Sequence, residues 1–130
     1  MDKNVSRAVE IIESKKAENV KVYDVKGKSP FMDYVVICTG TSSTNMDAIV
    51  TELRKELPTY RAIEGTSESQ WILADFGDFI VNVFSREKRA YYNLDGIFDT
   101  SEDSGEEGKE LSENMSELSE SLEDTVMDSL

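Results

Sequence analysis

Residues 70–85, QWILADFGDFIVNVFS, constrain the fold of this chain more than any other stretch. Two β-rich runs flank Asp75-Phe76-Gly77-Asp78, where Gly77 can supply the positive φ of a tight turn. A hairpin is the expected result. Trp71, Leu73 and Asp75 share one face of its first strand, and Ile72 and Ala74 the other. The second run, 79–84, is rich in β-branched and aromatic residues. If Asp75 pairs with Asp78, Trp71 lies opposite Asn82 and Leu73 opposite Ile80. The one tryptophan then shares a face with an acid and an amide, poor core companions unless hydrogen-bonded. Such a face is either packed under a helix or displayed to a partner.

The rest of the chain supplies elements to surround this hairpin. A helix is expected over 2–16, with Val5, Ala8, Val9 and Ile12 in one stripe. A strand over 20–25 is broken by Lys26-Gly27-Lys28-Ser29-Pro30. The run 34–39, YVVICT, is apolar on both faces, as a central strand covered on each side must be. A small-residue turn from Gly40 leads into a helix whose capping box is Thr44 with Asp47. That helix carries Met46, Ile49, Val50, Leu53 and Leu57 inward, and Pro58 stops it. A short strand over 61–64 and a polar loop over 65–69 precede the hairpin. A single last helix is expected over 86–98, with Ala90, Leu94 and Ile97 inward. The order α-β-β-α-β-β-β-α predicts an α/β fold: a single mixed sheet of about five strands flanked by helices.

The charge divides the chain. The formal net charge is −13. Residues 100–130 hold eleven acids against one base, Lys109, so −10; residues 1–99 hold sixteen acids and thirteen bases, so −3. A folded domain over 1–99 and an acidic tail over 100–130 are expected, the tail disordered or marginally helical. Leu111, Met115, Leu118, Leu122, Val126 and Leu130 recur in the tail at helical steps, while like charges at every turn oppose an isolated helix. The near-balanced domain gives no electrostatic footprint for sequence-specific nucleic-acid binding. It can still meet a basic protein. The lone Cys38 cannot form an intramolecular disulfide and reads as a buried thiol. Histidine is absent, which removes His-based general bases, Ser-His triads and the commonest metal ligand. No apolar run reaches membrane-spanning length and no signal-like segment opens the chain, so a cytoplasmic protein without membrane contact is expected.

Three constellations invite a chemical reading. Asp75-Phe76-Gly77 spells a kinase metal motif, but the phosphate loop and catalytic loop that give it meaning are missing. The Gly40-Thr41-Ser42-Ser43 turn before a helix is where nucleotidyltransferase folds hold a phosphate. Their chemistry also needs carboxylates converging on magnesium, and no Asp-x-Asp occurs in residues 1–99. A nucleotide-binding or nucleotidyl transfer protein is therefore the alternative, not the main reading. The stretch Arg86–Tyr92, REKRAYY, mixes bases with aromatics; RNA can stack on such a surface, and a solvated helix face explains it more simply.

Taken in order, several pieces resemble the ribosomal silencing factor family, also called Iojap-like. They are Asp33-Tyr34-Val35-Val36-Ile37, Thr39-Gly40-Thr41-Ser42, Glu64-Gly65, the run from Trp71 to Asp78, Val81-Asn82-Val83-Phe84, and Arg89-Ala90-Tyr91-Tyr92-Asn93-Leu94-Asp95. The resemblance covers about residues 5–99. It implies a nucleotidyltransferase-like fold without the active site, and a translation repressor rather than an enzyme. It also implies binding to the large ribosomal subunit through its protein fourteen, on the face that joins the small subunit, with no cofactor or metal and a homodimer when free. The residues it assigns to partner binding are Trp71, Leu73, Asp75 and Phe76, with Arg89 and Tyr92 in support. Asn82 and Asn45 stand where the family usually has histidine; asparagine keeps a hydrogen bond but does not titrate near neutral pH. Phe98 replaces a usual tryptophan. Together the hairpin and the resemblance predict a displayed Trp71 that anchors the ribosomal contact.

Overall fold

The structure, a computed structural model, describes residues 2–99. Helix α1 (Lys3–Ser14) leads to strands β1 (Glu18–Asp24) and β2 (Tyr34–Thr39). Helix α2 (Ser43–Glu56) then crosses to β3 (Ala62–Thr66), β4 (Trp71–Asp75) and β5 (Phe79–Phe84), and α3 (Arg86–Tyr92) and α4 (Leu94–Asp99) close the described chain. The sheet is one mixed unit of five strands in the order β1-β2-β5-β4-β3. Only β2 and β5 run parallel; the other neighbours are antiparallel. The crossover through α2 carries the chain to the far edge, and the β3-β4-β5 meander brings it back beside β2. The expected fold class is the observed one.

Every residue of β2 and of β5 is buried, as strands covered on both faces require. On one side lie α1 and α2. Asp2 starts α1 by accepting from the amides of Asn4 at 2.7 Å and Val5 at 3.3 Å. Its buried stripe is Val5, Ala8, Ile11 and Ile12; Ile11 takes the place expected of Val9. Met46, Ile49, Val50 and Leu53 of α2, with Leu57 at its C-terminal cap, pack with it against Val36, Cys38, Ile72, Ala74, Val81 and Val83. On the other side Leu94 and Phe98 join Val35, Ile37, Trp71, Leu73, Ile80 and Phe84.

Three local readings are corrected. Ser42, not Thr44, caps α2: its Oγ accepts from the Asn45 amide at 3.0 Å, and Asn45 Oδ1 accepts from the Thr41 amide at 3.0 Å. Thr44 is already inside the helix. The third strand starts one residue later than expected and runs on through Gly65, which takes a positive φ of 81° and whose missing Cβ leaves room for the Trp71 carbonyl. The last helix is two. Asn93 takes φ 50°, a left-handed conformation asparagine tolerates, and the chain turns so that Leu94 and Phe98 point down to the sheet while Ala90 is left exposed.

Both apolar layers close within residues 2–99. The expected tail, 100–130, lies outside the described residues. A chain ending at Asp99 should therefore keep a single cooperative thermal transition; a calorimetric trace that loses it shows that 100–130 supplies part of the core.

Candidate functional site

The hairpin register differs from the one the sequence indicated. Trp71 pairs with Phe84, Leu73 with Asn82 and Asp75 with Ile80. Gly77, at φ 86°, takes the first central position of the turn, and the closing pair is Phe76 with Phe79, whose backbone hydrogen bond is 3.0 Å. The shift is two residues, so each side chain keeps the face expected for it. Asp75 Oδ1 accepts from the Gly77 amide at 2.8 Å, so this carboxylate stabilises the turn.

The structure splits the residues assigned to partner binding between the two layers. Phe76 is buried on the α1–α2 side, stacked on Phe79 at 5.1 Å. Trp71 and Leu73 lie on the opposite side, and Asp75 is half-buried at the turn. Trp71 is not displayed: it is 4% exposed, with Phe84 stacked at 4.9 Å and Tyr92 tilted over it at 4.7 Å. The polar neighbour that argued for display is what permits burial. Trp71 Nε1 donates to Asn82 Oδ1 at 3.0 Å, and Asn82 is fully buried. Because indole only donates, this bond fixes the orientation of the amide. Among the described residues the buried Asn82 Nδ2 then has no partner, and an amide left so costs about 1–3 kcal/mol.

Arg89 is a brace rather than a free cation. Its Nε and Nη2 donate to the two oxygens of Asp95 at 2.9 and 3.0 Å; its Nη1 donates to the Asn19 carbonyl at 2.6 Å and to Thr39 Oγ1 at 2.9 Å. One side chain thus ties α3 to α4, to the start of β1 and to the end of β2. Tyr23 Oη adds a third donor to Asp95 at 2.8 Å, and its ring stacks on Phe98 at 5.2 Å. Burial pushes the Asp95 carboxyl up, but the hydrogen bonds from Arg89 and Tyr23 outweigh it and hold the group below the usual carboxylate value. Burial first, and the bond to Asp95 second, push the Tyr23 phenol up. Cys38, beneath α1 and α2, is pushed up to about 12 by burial, against a small opposite effect of Arg89.

Three large apolar side chains are exposed among the described residues: Phe31 at 59%, Tyr91 at 75% and Tyr92 at 39%. The two tyrosines meet edge to face at 5.1 Å, and Lys88 Nζ stands 5.2 Å from the Tyr91 ring centre. No side chain of α3 is buried. The result is a small outward platform: Tyr91, Tyr92 and Lys88 on top, with Trp71 and Phe84 fixed beneath. Sequence reasoning found Tyr92 but missed Tyr91 and Lys88; both lay inside the REKRAYY stretch, read there as a solvated face. At the other candidate site, the start of α2, the Thr41 and Asn45 amides are taken by neighbouring side chains. Among the described residues no group of three His, Cys, Asp or Glu can hold a metal ion, and no helix is long and apolar enough to cross a membrane.

The family described as "Ribosomal silencing factor during starvation" matches residues 1–128 of the chain. The chain belongs to this family. The match runs past residue 99, where the resemblance read from individual motifs stopped. Among curated relatives, the ribosomal silencing factor of Halalkalibacterium halodurans is 38% identical over 95 residues, which are 70% of this chain and 81% of that protein. The mouse protein named for mitochondrial assembly of the ribosomal large subunit is 26% identical, over 73% of this chain and 45% of its own length. A crystal structure of a protein from Chromobacterium violaceum shares the fold, with a TM-score of 0.70 at 23% identity over 80% of this chain and 92% of that one.

The packing around Trp71 and Arg89 sets two expectations for this family member. Trp71→Ala should destabilise the domain by about 3–5 kcal/mol, as loss of a large buried aromatic does. Trp71→Phe should cost less while stranding Asn82 Oδ1. Chemical denaturation measures both, and a Trp71→Ala protein of unchanged stability would return Trp71 to the surface. Asp95, whose folded value is depressed, should add stability above the unfolded value of about 3.9 and lose it as pH falls through the folded value. The deficit of Asp95→Asn, about 1.5–3 kcal/mol near neutrality, should then shrink over the acid range, as pH falls below about 3.9 and on through the depressed folded value. A deficit that stays constant across that range would remove the ion pair as its cause.

Proposed function

We propose that this chain binds the large ribosomal subunit on the face that joins the small subunit, through large-subunit protein fourteen, and blocks subunit joining. Membership in a family of silencing factors supports a ribosome-associated role in regulating translation. The name of the mouse relative supports the large subunit as the partner. The observation that carries the site is the aromatic platform on α3: exposed Tyr92 seated on buried Trp71, exposed Tyr91 against Tyr92, and Lys88 over Tyr91. Aromatic groups on a rigid base are the usual anchors of a protein interface. Trp71, Leu73, Phe76 and Arg89 then serve the contact from within, by fixing the platform and the sheet under it. Tyr92 touches the partner directly, with Tyr91 and Lys88. Asp75, at the far turn, meets the partner at the rim.

A blocking factor works by occupying space, so an ordinary interface of roughly 800 Å² a side is enough. No bond need be made or broken in this role. The nucleotidyl transfer alternative asks for free amides at the start of α2, where those of Thr41 and Asn45 are already engaged. The homodimer implied for the free protein belongs to the same proposal and is read from sedimentation of the unbound chain.

Cosedimentation with isolated large subunits tests the reading. Tyr91→Ala with Tyr92→Ala should weaken binding by about 2 kcal/mol, roughly thirtyfold, and restore subunit joining, while the domain stays folded. Wild-type affinity in the folded double variant would move the contact elsewhere on the domain. No binding by the wild-type chain would end the proposal.

A further inference from the structure

The aromatic platform lies close to the point where the described chain ends. Tyr92 closes α3, Asn93 turns the chain, and α4 ends at Asp99. The next eleven residues, 100–110, can span up to roughly 36–40 Å. They reach Leu111, the first of the apolar row Leu111, Met115, Leu118, Leu122, Val126 and Leu130. That row sits in residues 111–130, which hold six acids and no base, so −6, with acids between its members. The platform offers the complement. Lys88 makes no ion pair among the described residues, and Arg86, 80% exposed, carries the only other outward cation of α3, paired to Glu18 at 2.7 Å. Phe31, the remaining exposed aromatic, lies in the loop between β1 and β2, away from α3.

We propose that residues 111–130 dock on the α3 platform of their own chain, laying the Leu111–Leu130 row over Tyr91 and Tyr92 with the flanking acids toward Lys88 and Arg86. A tether of this length gives an effective concentration in the millimolar range, so a contact too weak to hold two separate molecules suffices. The docked row covers the surface assigned above to the ribosomal partner. The tail is therefore an intramolecular competitor, and this consequence rests on the proposed function. Because part of the contact is ionic and exposed, salt weakens it. Partner and tail then exclude each other, and anything that occupies or neutralises the tail frees the platform.

A nitroxide on Ser116→Cys in the full chain tests the docking, since buried Cys38 stays unlabelled. The label should broaden the amides of α3 more than those of α1, and the effect should weaken in high salt and vanish with Leu118→Ser and Leu122→Ser. Uniform weak broadening overturns the docking. Broadening seen only when labelled chains are mixed with isotope-enriched unlabelled ones also overturns it, in favour of a second copy as occupant. In parallel, the Leu118→Ser, Leu122→Ser chain should bind large subunits at least ~threefold more tightly than wild type. Equal affinity overturns the competition. If neither chain binds large subunits, the proposed function fails while the label still decides the docking.

Discussion

The parallel pairing of β2 with β5 is the constraint on which this structure depends. Both strands are apolar throughout, so neither face can be left to water. One face receives two full helices, α1 and α2, with continuous buried stripes. The other receives α3 and α4, of seven and six residues. Helices this short are not stable by themselves. They are held by tertiary contacts: the Arg89 brace, the Tyr23–Phe98 stack and the aromatic group around Trp71. The side of the molecule with the exposed aromatics is thus the side whose order rests on a few named interactions.

Trp71 shows how a polar neighbour can be misread. An amide and an acid on the strand face of a tryptophan point to water if each must be solvated. Here Asn82 satisfies the indole N–H at 3.0 Å, and Asp75 turns its carboxylate to the hairpin backbone. The indole is then free to become the floor of the platform. Asparagine fills this position without a titrating ring, so the Trp71–Asn82 bond is indifferent to pH near neutrality. The cost is a buried amide NH2 group, that of Asn82, with no partner among the described residues.

Arg89 illustrates the same lesson with charge. A basic residue between aromatics reads as a hand held out to a partner. Its donors are instead spent on Asp95, Asn19 and Thr39, which lie six, seventy and fifty residues away in the chain. The cations of α3 left toward solvent are Arg86, paired with Glu18, and the half-buried Lys88 beside the Tyr91 ring. Which base faces the protein and which faces solvent depended on the break at Asn93, because only a redirected α4 brings Asp95 beneath Arg89.

The sequence by itself determined the layers. Period-2 and period-3.6 spacing placed the strands and the two long helices, and the doubly apolar YVVICT run required a sheet covered on both sides. Motif order also pointed to the family to which the chain belongs. Tertiary structure decided what a pattern cannot encode. The turn conformation of Gly77 moved the hairpin register by two residues, which preserves every face and so leaves no trace in hydrophobic alternation. Burial of Trp71 depended on Asn82 across the sheet and Tyr92 on a later helix. The split of the last helix depended on the left-handed Asn93, whose advantage appears only once Leu94, Asp95 and Phe98 have partners on the sheet. Local composition fixes which faces are apolar, while long-range hydrogen bonds and stacking choose which residues remain on the surface.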